Sequence, residues 1–120
     1  MHTVEKIGGT SMSRFDEVLD TLFIGNRKKH ELYNRVFVVS AYAGMTNLLL
    51  EHKKSGEPGV YERFADAQNE DAWLDALDAV LASMRTKNAE LFTGEYERQA
   101  ADRFIEGRIG DVRDCMLSLQ

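Results

Sequence analysis

Residues 5 to 12, EKIGGTSM, combine the groups with which proteins hold phosphate. Lys6 brings a positive charge. Gly8 and Gly9 let backbone N–H groups approach an anion because glycine has no Cβ atom, while Thr10 and Ser11 add hydroxyl donors. The spacing K-x-G-G-T-S matches neither the P-loop nor the dinucleotide-binding glycine pattern. These residues alone leave two interpretations open: a phosphate-binding turn, and an ordinary turn between a strand and a helix.

A second stretch, VVSAYAGMTNLLL at residues 38 to 50, has a similar design. It ends an apolar run in the small residues Ser40 and Ala41 and then opens a helical pattern at Thr46. The carboxyl ends of neighbouring parallel strands meet at one edge of a sheet, where α/β proteins bind ligands. We therefore expect one turn to hold a nucleotide and the other its acceptor.

The elements around these turns follow from the apolar pattern. Residues 3–7 and 35–41 predict strands, the second covered on both faces because it is almost continuously apolar. Between them, a helix capped by Ser13 is predicted to run to Gly25-Asn26, which indicates a parallel strand-helix-strand crossover. A second helix is predicted over residues 43–56.

The second half of the chain predicts helices without strands. Residues 60–67 and 71–88 have helical spacing, and after a break at Gly94 the pattern continues to residue 119. Two strands alone would leave both sheet edges open, so more strands are expected. Because the helical pattern also reaches residue 120 without a stop signal, we predict that the chain is part of a longer α/β protein.

Composition excludes several classes of function. A formal net charge of -5 gives little support to nucleic-acid binding. The sequence has no signal-peptide pattern and no membrane-spanning run, so a cytoplasmic location is expected. His2, His30 and His52 are far apart and predict no metal site.

Other conspicuous side chains have structural interpretations. Cys115 is predicted to be a buried thiol, and the acidic residues from Glu70 to Asp78 a solvated helix surface. Core positions are predicted for the following residues: Met45, Trp73, Met84, Tyr96 and Phe104.

The motifs VEKIGGTSM and VVSAYAGMTNLLL together resemble the first two motifs of the aspartokinases, V-x-K-F-G-G-T-S and V-V-S-A-x-x-G-x-T-[ND]-x-L. The order of the two motifs and their separation along the sequence also match those of the family. The resemblance implies the N-terminal portion of an amino acid kinase catalytic domain, which is a carbamate kinase-like three-layer α/β/α sandwich. Residues 1–120 would be an incomplete part of that domain, with a helix-rich C-terminal half and no ACT regulatory domain.

The resemblance also implies roles for individual residues. Lys6 would contact the ATP phosphates and stabilise the transferring phosphoryl group. The nucleotide loop would comprise Gly8, Gly9, Thr10 and Ser11. Ser40 and Ala41 would belong to a second loop, and Thr46 would contact L-aspartate. The implied reaction transfers the γ-phosphoryl of Mg-ATP to the side-chain carboxylate of L-aspartate, and a homo-oligomer is implied for the full-length protein.

The sequence departs from the family pattern at a few positions. Ile7 replaces a phenylalanine, and Tyr42-Ala43 stands where the family often has a smaller residue followed by serine. These substitutions, with SGEPGVYERFA, resemble the aspartokinases linked to ectoine biosynthesis. The family's S-x-G-E glutamate, downstream arginine and nucleotide-base pocket have no counterpart here, and no residue of this chain is identified as a ligand of Mg²⁺. We therefore expect the chain alone to lack kinase activity.

Two alternatives remain at this point: another member of the amino acid kinase superfamily, and a non-catalytic helical interaction or regulatory module whose glycine turns are structural. A requirement for Lys6 in turnover would separate a kinase from such a module.

Overall fold

A computed structural model describes residues 1–66 and 71–120, which form two compact units, Met1–Met45 and Thr46–Gln120. The first unit contains strands β1 (Thr3–Ile7) and β2 (Arg35–Val39), which pair in parallel. Both predicted strands and their parallel pairing are confirmed, although β2 ends at Val39 rather than at residue 41.

The segment between the strands is helical but begins earlier than predicted. It comprises α1 (Gly9–Met12), α2 (Phe15–Val18), a π-helix (Leu19–Ile24) and, further on, a 3₁₀-helix (Lys29–Leu32). Ser13 is not an N-cap. It follows the last residue of α1, and its hydroxyl donates to the carbonyl of Thr10. The predicted cap was wrong because the chain enters the helix directly from the glycine turn.

The core of the first unit joins the strand to this helical segment. Ile7, Met12 and Val18 are buried together. Three half-buried aromatic side chains pack against them: Phe15, Phe23 and Tyr42. The glycine turn is thus held between an apolar strand end and an apolar helix face.

Arg35 cross-links the elements of this unit. Its side chain is only 5% exposed, and its Nη2 lies 2.9 Å from Oε1 of Glu5. The same nitrogen donates to the carbonyl of Leu22 at 2.8 Å, and Nη1 donates to the carbonyl of Phe23. A buried guanidinium needs such complete pairing, since an unpaired charge in the interior is costly.

The sheet is more exposed than predicted. Val36 and Val38 are 48% and 52% exposed, so β2 is not covered on both faces by the described residues of its unit. The helical segment packs on the Ile7 side, and these valines receive no comparable cover.

The second unit is helical. It contains most of α3 (Met45–Leu49), which begins at the last residue of the first unit, followed by α4 (Val60–Ala65), α5 (Ala72–Leu91) and α6 (Glu95–Ser118). The helix predicted over residues 43–56 was wrong in length. α3 ends at Leu49 because the chain turns back, and the N–H of Gly59 donates to the carbonyl of Leu50 at 2.8 Å.

The core of the second unit lies around α5. Trp73, Leu77 and Val80 are fully buried, and the ring of Phe64 meets Trp73 edge-on at 5.5 Å. Ile109 brings α6 into the buried set at 6% exposure. Trp73 is therefore a core residue, as predicted.

The predictions for three other side chains of this unit were wrong. Tyr96 and Phe104 are 77% and 65% exposed, and Cys115 is an exposed thiol rather than a buried one. The apolar pattern of α6 is wider than the face that α5 covers.

Met84 is half-buried, and Met45, in the first unit, is buried as predicted. Asp71, Asp75 and Asp78 are exposed as expected, while Glu70 lies outside the described residues.

Polar contacts join α5 to α6. The amide of Asn88 donates to Oδ1 of Asp102 at 3.0 Å, and Nη1 of Arg85 lies 3.2 Å from Oε1 of Glu106. Among the described residues, no helix combines the length and apolar character needed to cross a membrane. The fold is a mixture of helices and a small parallel sheet with a helix-rich second half, compatible with the predicted α/β class.

Candidate functional site

Lys6 lies near the carboxyl end of β1, opposite Val38 of β2. Its side chain is exposed and makes no hydrogen bond or ion pair with any residue in the described ranges. The adjacent carboxylate of Glu5 is engaged instead by Arg35, whose Nε donates to it at 3.0 Å. The ammonium group of Lys6 is therefore available to an external anion.

The glycine pair, Gly8 and Gly9, comes directly after Ile7, the last residue of β1. Gly8 has φ −75° and ψ 169°, an extended conformation that any residue adopts. A Cβ added at Gly8 would meet no atom of residues 1–66 and 71–120 within 4 Å, and one at Gly9 would lie 3.5 Å from Oγ of Ser40, an ordinary contact. Neither the backbone geometry nor crowding by the described residues thus demands the absence of a side chain at Gly8.

The hydroxyl residues Thr10 and Ser11 begin the helical segment. Both are exposed, and their hydroxyls have no partner within residues 1–66 and 71–120. Their backbone carbonyls accept hydrogen bonds from Ser13 and Arg14, which closes the turn. The side chains therefore remain free to donate to a ligand.

The second turn lies beside the first. The N–H of Ser40 donates to the carbonyl of Ile7 at 3.1 Å, which continues the parallel ladder beyond β2. Ser40 and Ala41 are exposed at this edge, and Ser40 lies close to Gly9. The structure therefore brings Ser40 next to the glycine turn, as the sequence predicted for two parallel strands.

Tyr42 anchors the second turn. Its ring meets the Phe15 ring edge-on, with 5.7 Å between the ring centroids, and packs against the buried cluster of the first unit. Burial raises the pKa of the Tyr42 phenol above its ordinary value of 10.0. The chain then turns at Gly44, whose φ of +86° favours glycine. The N–H of Met45 donates to the carbonyl of Tyr42 at 3.1 Å and closes this turn. In the sequence, Tyr42 stands out only as a departure from the family pattern. An aromatic residue within a run of small ones is the available signal of an anchor.

Thr46, the remaining predicted site residue, is the first residue of the second unit. It is exposed, its carbonyl accepts a hydrogen bond from the N–H of Leu50 at 3.0 Å, and its hydroxyl has no partner in the described parts of the chain. A donor is thus present at the start of α3.

The chemistry available at the sheet edge is binding of an anion by a cation, hydroxyls and backbone N–H groups. In the described residues, no three His, Cys, Asp or Glu side chains are grouped so that they could hold a metal ion. The predicted site contains no cysteine or histidine nucleophile. The arrangement suits a reaction that depends on positioning and charge neutralisation.

A comparison with curated proteins supports this interpretation. The chain is 69% identical over all of its 120 residues to a protein of Stutzerimonas stutzeri (strain A1501) named aspartate kinase Ask_Ect. It spans 25% of the length of that relative. The resemblance to aspartokinases that the two motifs indicate is confirmed. No protein-family model matches the chain, and no solved structure matches it significantly.

Proposed function

We propose that this chain is the N-terminal portion of the catalytic domain of an aspartate kinase. The enzyme would transfer the γ-phosphoryl group of Mg-ATP to the side-chain carboxylate of L-aspartate and form 4-phospho-L-aspartate. The observation that carries the proposal is the exposed, unpartnered Lys6 beside Gly8, a glycine required by no contact within the described chain. The 69% identity to an aspartate kinase over the whole chain supports it independently.

The residues have distinct roles in this proposal. Lys6 neutralises phosphoryl oxygens as negative charge shifts during transfer. Gly8 and Gly9 let the phosphates approach the backbone, and Thr10 and Ser11 donate hydrogen bonds to them. The open space that the described residues leave next to Gly8 supports this placement of the phosphates. Mg²⁺ would arrive with the nucleotide and offset its charge.

The acceptor side of the proposed site needs no general base. The carboxylate of aspartate is already ionised at neutral pH, so it attacks phosphorus without losing a proton. Ser40 and Ala41 would border the acceptor, and Thr46 would donate a hydrogen bond to it. Catalysis then rests on orientation of the two substrates and on charge neutralisation.

The wider setting belongs to the same proposal. The complete protein would be a cytoplasmic homo-oligomer with a three-layer α/β/α catalytic domain. Its product would enter biosynthesis of the aspartate family of amino acids or of ectoine, the latter favoured by the SGEPGVYERFA stretch.

The test is Lys6→Met in the protein expressed from its complete reading frame. We expect kcat for ATP-dependent aspartyl hydroxamate formation to fall by about a hundredfold to a thousandfold, since a donor that stabilises developing charge contributes on this order. The circular dichroism spectrum and melting temperature should be unchanged because Lys6 is exposed and unpartnered.

Lys53→Met is the matched control, since it removes the same charge from an exposed position outside the proposed site. It should leave turnover unchanged. Turnover by Lys6→Met equal to that of the unmodified protein would contradict the proposed role and favour a structural interpretation of the glycine turns.

A further inference from the structure

The glycine turn is anchored at both of its ends by buried side chains. Ile7, directly before Gly8, is 5% exposed, and Met12, directly after Ser11, is 4% exposed. Both belong to the buried cluster of the first unit, whereas residues 8–11 between them are exposed. The position of this turn is therefore set by the way in which Ile7 and Met12 pack.

Tyr42 packs against the same cluster from the second turn. It is half-buried, and the other residues from 40 to 44 are small and exposed. Their side chains offer little apolar surface to the core. Tyr42 is therefore the side chain through which the second turn is attached to the cluster that anchors the first.

The second turn is held in two different ways along its length. At its start, the N–H of Ser40 donates to the carbonyl of Ile7 at 3.1 Å. Two residues later, the Tyr42 ring meets the Phe15 ring at an interplanar angle of 73°, and Phe15 in turn meets Phe23 with 5.6 Å between the ring centroids. Such edge-to-face pairs have a preferred geometry, so they fix the orientation of the ring as well as its distance.

The separation of the two turns matters for the proposed reaction. The phosphoryl donor would lie on the first turn, and the acceptor would lie beside Ser40 and Ala41 on the second. Group transfer requires the reacting atoms to be about 3–3.5 Å apart, and a misplacement of about 1 Å can lower the rate by about a hundredfold. A side chain that ties the second turn to the anchors of the first would therefore affect the rate without touching either substrate.

We propose that Tyr42 is a positioning residue for phosphoryl transfer, and that packing of its ring on the Ile7, Met12 and Val18 cluster sets the separation of the acceptor turn from the nucleotide turn. The proposal rests on the proposed kinase function. It assigns the role to the ring and not to the hydroxyl group.

A positioning role and a purely structural role predict different kinetics. If Tyr42 only stabilises the fold, its removal lowers the melting temperature, and kcat per folded molecule stays unchanged. If it positions the acceptor turn, kcat falls in the folded protein. The KM for ATP then changes little, because Lys6 and residues 8–11 keep their own anchors.

The experiment measures aspartyl hydroxamate formation by the protein from its complete reading frame, at neutral pH and below the melting transition of every variant. We expect Tyr42→Ala to lower kcat by about tenfold to a hundredfold and to leave the KM for ATP within about twofold of the unmodified value. Tyr42→Phe keeps the ring, so its kcat should stay within about twofold of the unmodified value.

Two control variants separate positioning from stability. Val18→Ala removes two methyl groups from the same buried cluster, but Val18 lies on α2 outside both turns. It should lower the melting temperature and leave kcat unchanged. Tyr61→Ala removes a tyrosine of α4 that is 62% exposed and should change neither quantity.

Three results would overturn the proposal. The first is an unchanged kcat for folded Tyr42→Ala. The second is an equal loss of kcat in Val18→Ala, which would indicate general loosening of the core. The third is an equal loss in Tyr42→Phe, which would assign the role to the hydroxyl group.

Tyr42→Leu replaces Tyr42→Ala if the alanine variant does not fold. Its kcat should be at least about threefold below the unmodified value, because leucine fills only part of the space of the ring. An unchanged kcat would overturn the proposal. Failure of both variants to fold, while Val18→Ala folds, would also overturn it, because the role of Tyr42 would then be structural.

Failure of the kinase function itself gives a different result. In that case, the unmodified protein forms no aspartyl hydroxamate, or Lys6→Met forms it at the unmodified rate. The positioning role alone fails if Lys6→Met loses turnover and folded Tyr42→Ala retains it.

Discussion

At the scale of single residues, a comparison of Gly44 with Gly8 separates a glycine with a structural role from one with a proposed binding role. Gly44 is required by its own backbone, since φ is +86°. Gly8 is not, since its φ is −75° and a Cβ would contact none of the described residues within 4 Å. A requirement for glycine at this position would therefore come from a ligand that approaches from outside the described residues.

Gly8→Ala tests this distinction. We expect unchanged melting temperature, because alanine tolerates the observed φ and ψ, together with a KM for ATP raised about tenfold or more by the methyl group in the path of the phosphates. Initial rates at varied ATP measure the effect. The matched control is Gly107→Ala in α6, where a Cβ would also meet no atom, and its KM should be unchanged. An unaltered KM for Gly8→Ala would mean that the phosphates do not pass this position.

Tyr42 gives a prediction in pH. Burial raises the pKa of its phenol, so the folded state keeps the proton while the unfolded chain releases it near pH 10.0. The contribution of Tyr42 to stability is therefore complete below pH 10.0 and is lost as pH rises through the folded-state value.

Tyr42→Phe should accordingly reduce the loss of stability between about pH 9 and pH 11, measured by urea unfolding. Tyr61→Phe removes a tyrosine that is 62% exposed and should follow the unmodified protein. Equal alkaline losses in all three proteins would show that the Tyr42 phenol does not resist ionisation in the folded state.

At the scale of elements, the pairing of α5 with α6 depends on polar contacts as well as on the buried stripe. Asn88 is 7% exposed and donates to Asp102, whose side chain is 17% exposed. Removal of the donor leaves a poorly solvated carboxylate without this hydrogen bond. The contact fixes the register of the two helices at the end of α5.

Asn88→Ala should lower the free energy of opening of amides in the last turns of α5 by about 1–3 kcal/mol, measured by hydrogen exchange. Gln99→Ala removes an exposed amide that bonds Glu95 within α6, and its effect should stay below about 0.5 kcal/mol. Similar effects of both substitutions would show that the bond between the helices adds nothing specific.

The bounds of some helices are set by tertiary contacts and not by the local sequence pattern. Strands β1 and β2 were predictable because alternating and continuous apolar runs are typical of strands, although the second run wrongly predicted that Val36 and Val38 are buried. The start of the first helix was not, because the turn at Gly9 rather than the hydroxyl of Ser13 begins it. The end of α3 was not, because Gly59 packs against its last carbonyls from nine residues beyond Leu50.

At the scale of the whole molecule, we propose that residues outside this chain complete the active site. The chain spans 25% of the length of its aspartate kinase relative. No S-x-G-E motif occurs in its 120 residues. In the proposed function, Lys6, Gly8 and Gly9 would contact phosphates, and no residue of the chain is assigned to a nucleotide base.

We therefore predict that the purified 120-residue chain forms no aspartyl hydroxamate above a blank without protein, whereas the protein from the complete reading frame does so under the same conditions. Activity of the short chain that Lys6→Met abolishes would contradict the prediction. Activity that survives Lys6→Met would instead indicate a contaminating kinase.

The primary sequence was sufficient to predict which groups lie together at the sheet edge. A cation, two glycines and two hydroxyls follow one strand, and parallel pairing puts Ser40 next to them. These are local facts, carried by residue type and by the carboxyl ends of two strands. Only the tertiary structure decided which apolar residues are covered: Trp73 is buried, while Phe104 and Cys115 are exposed. Such coverage arises from the packing of segments distant in sequence, which no local pattern encodes.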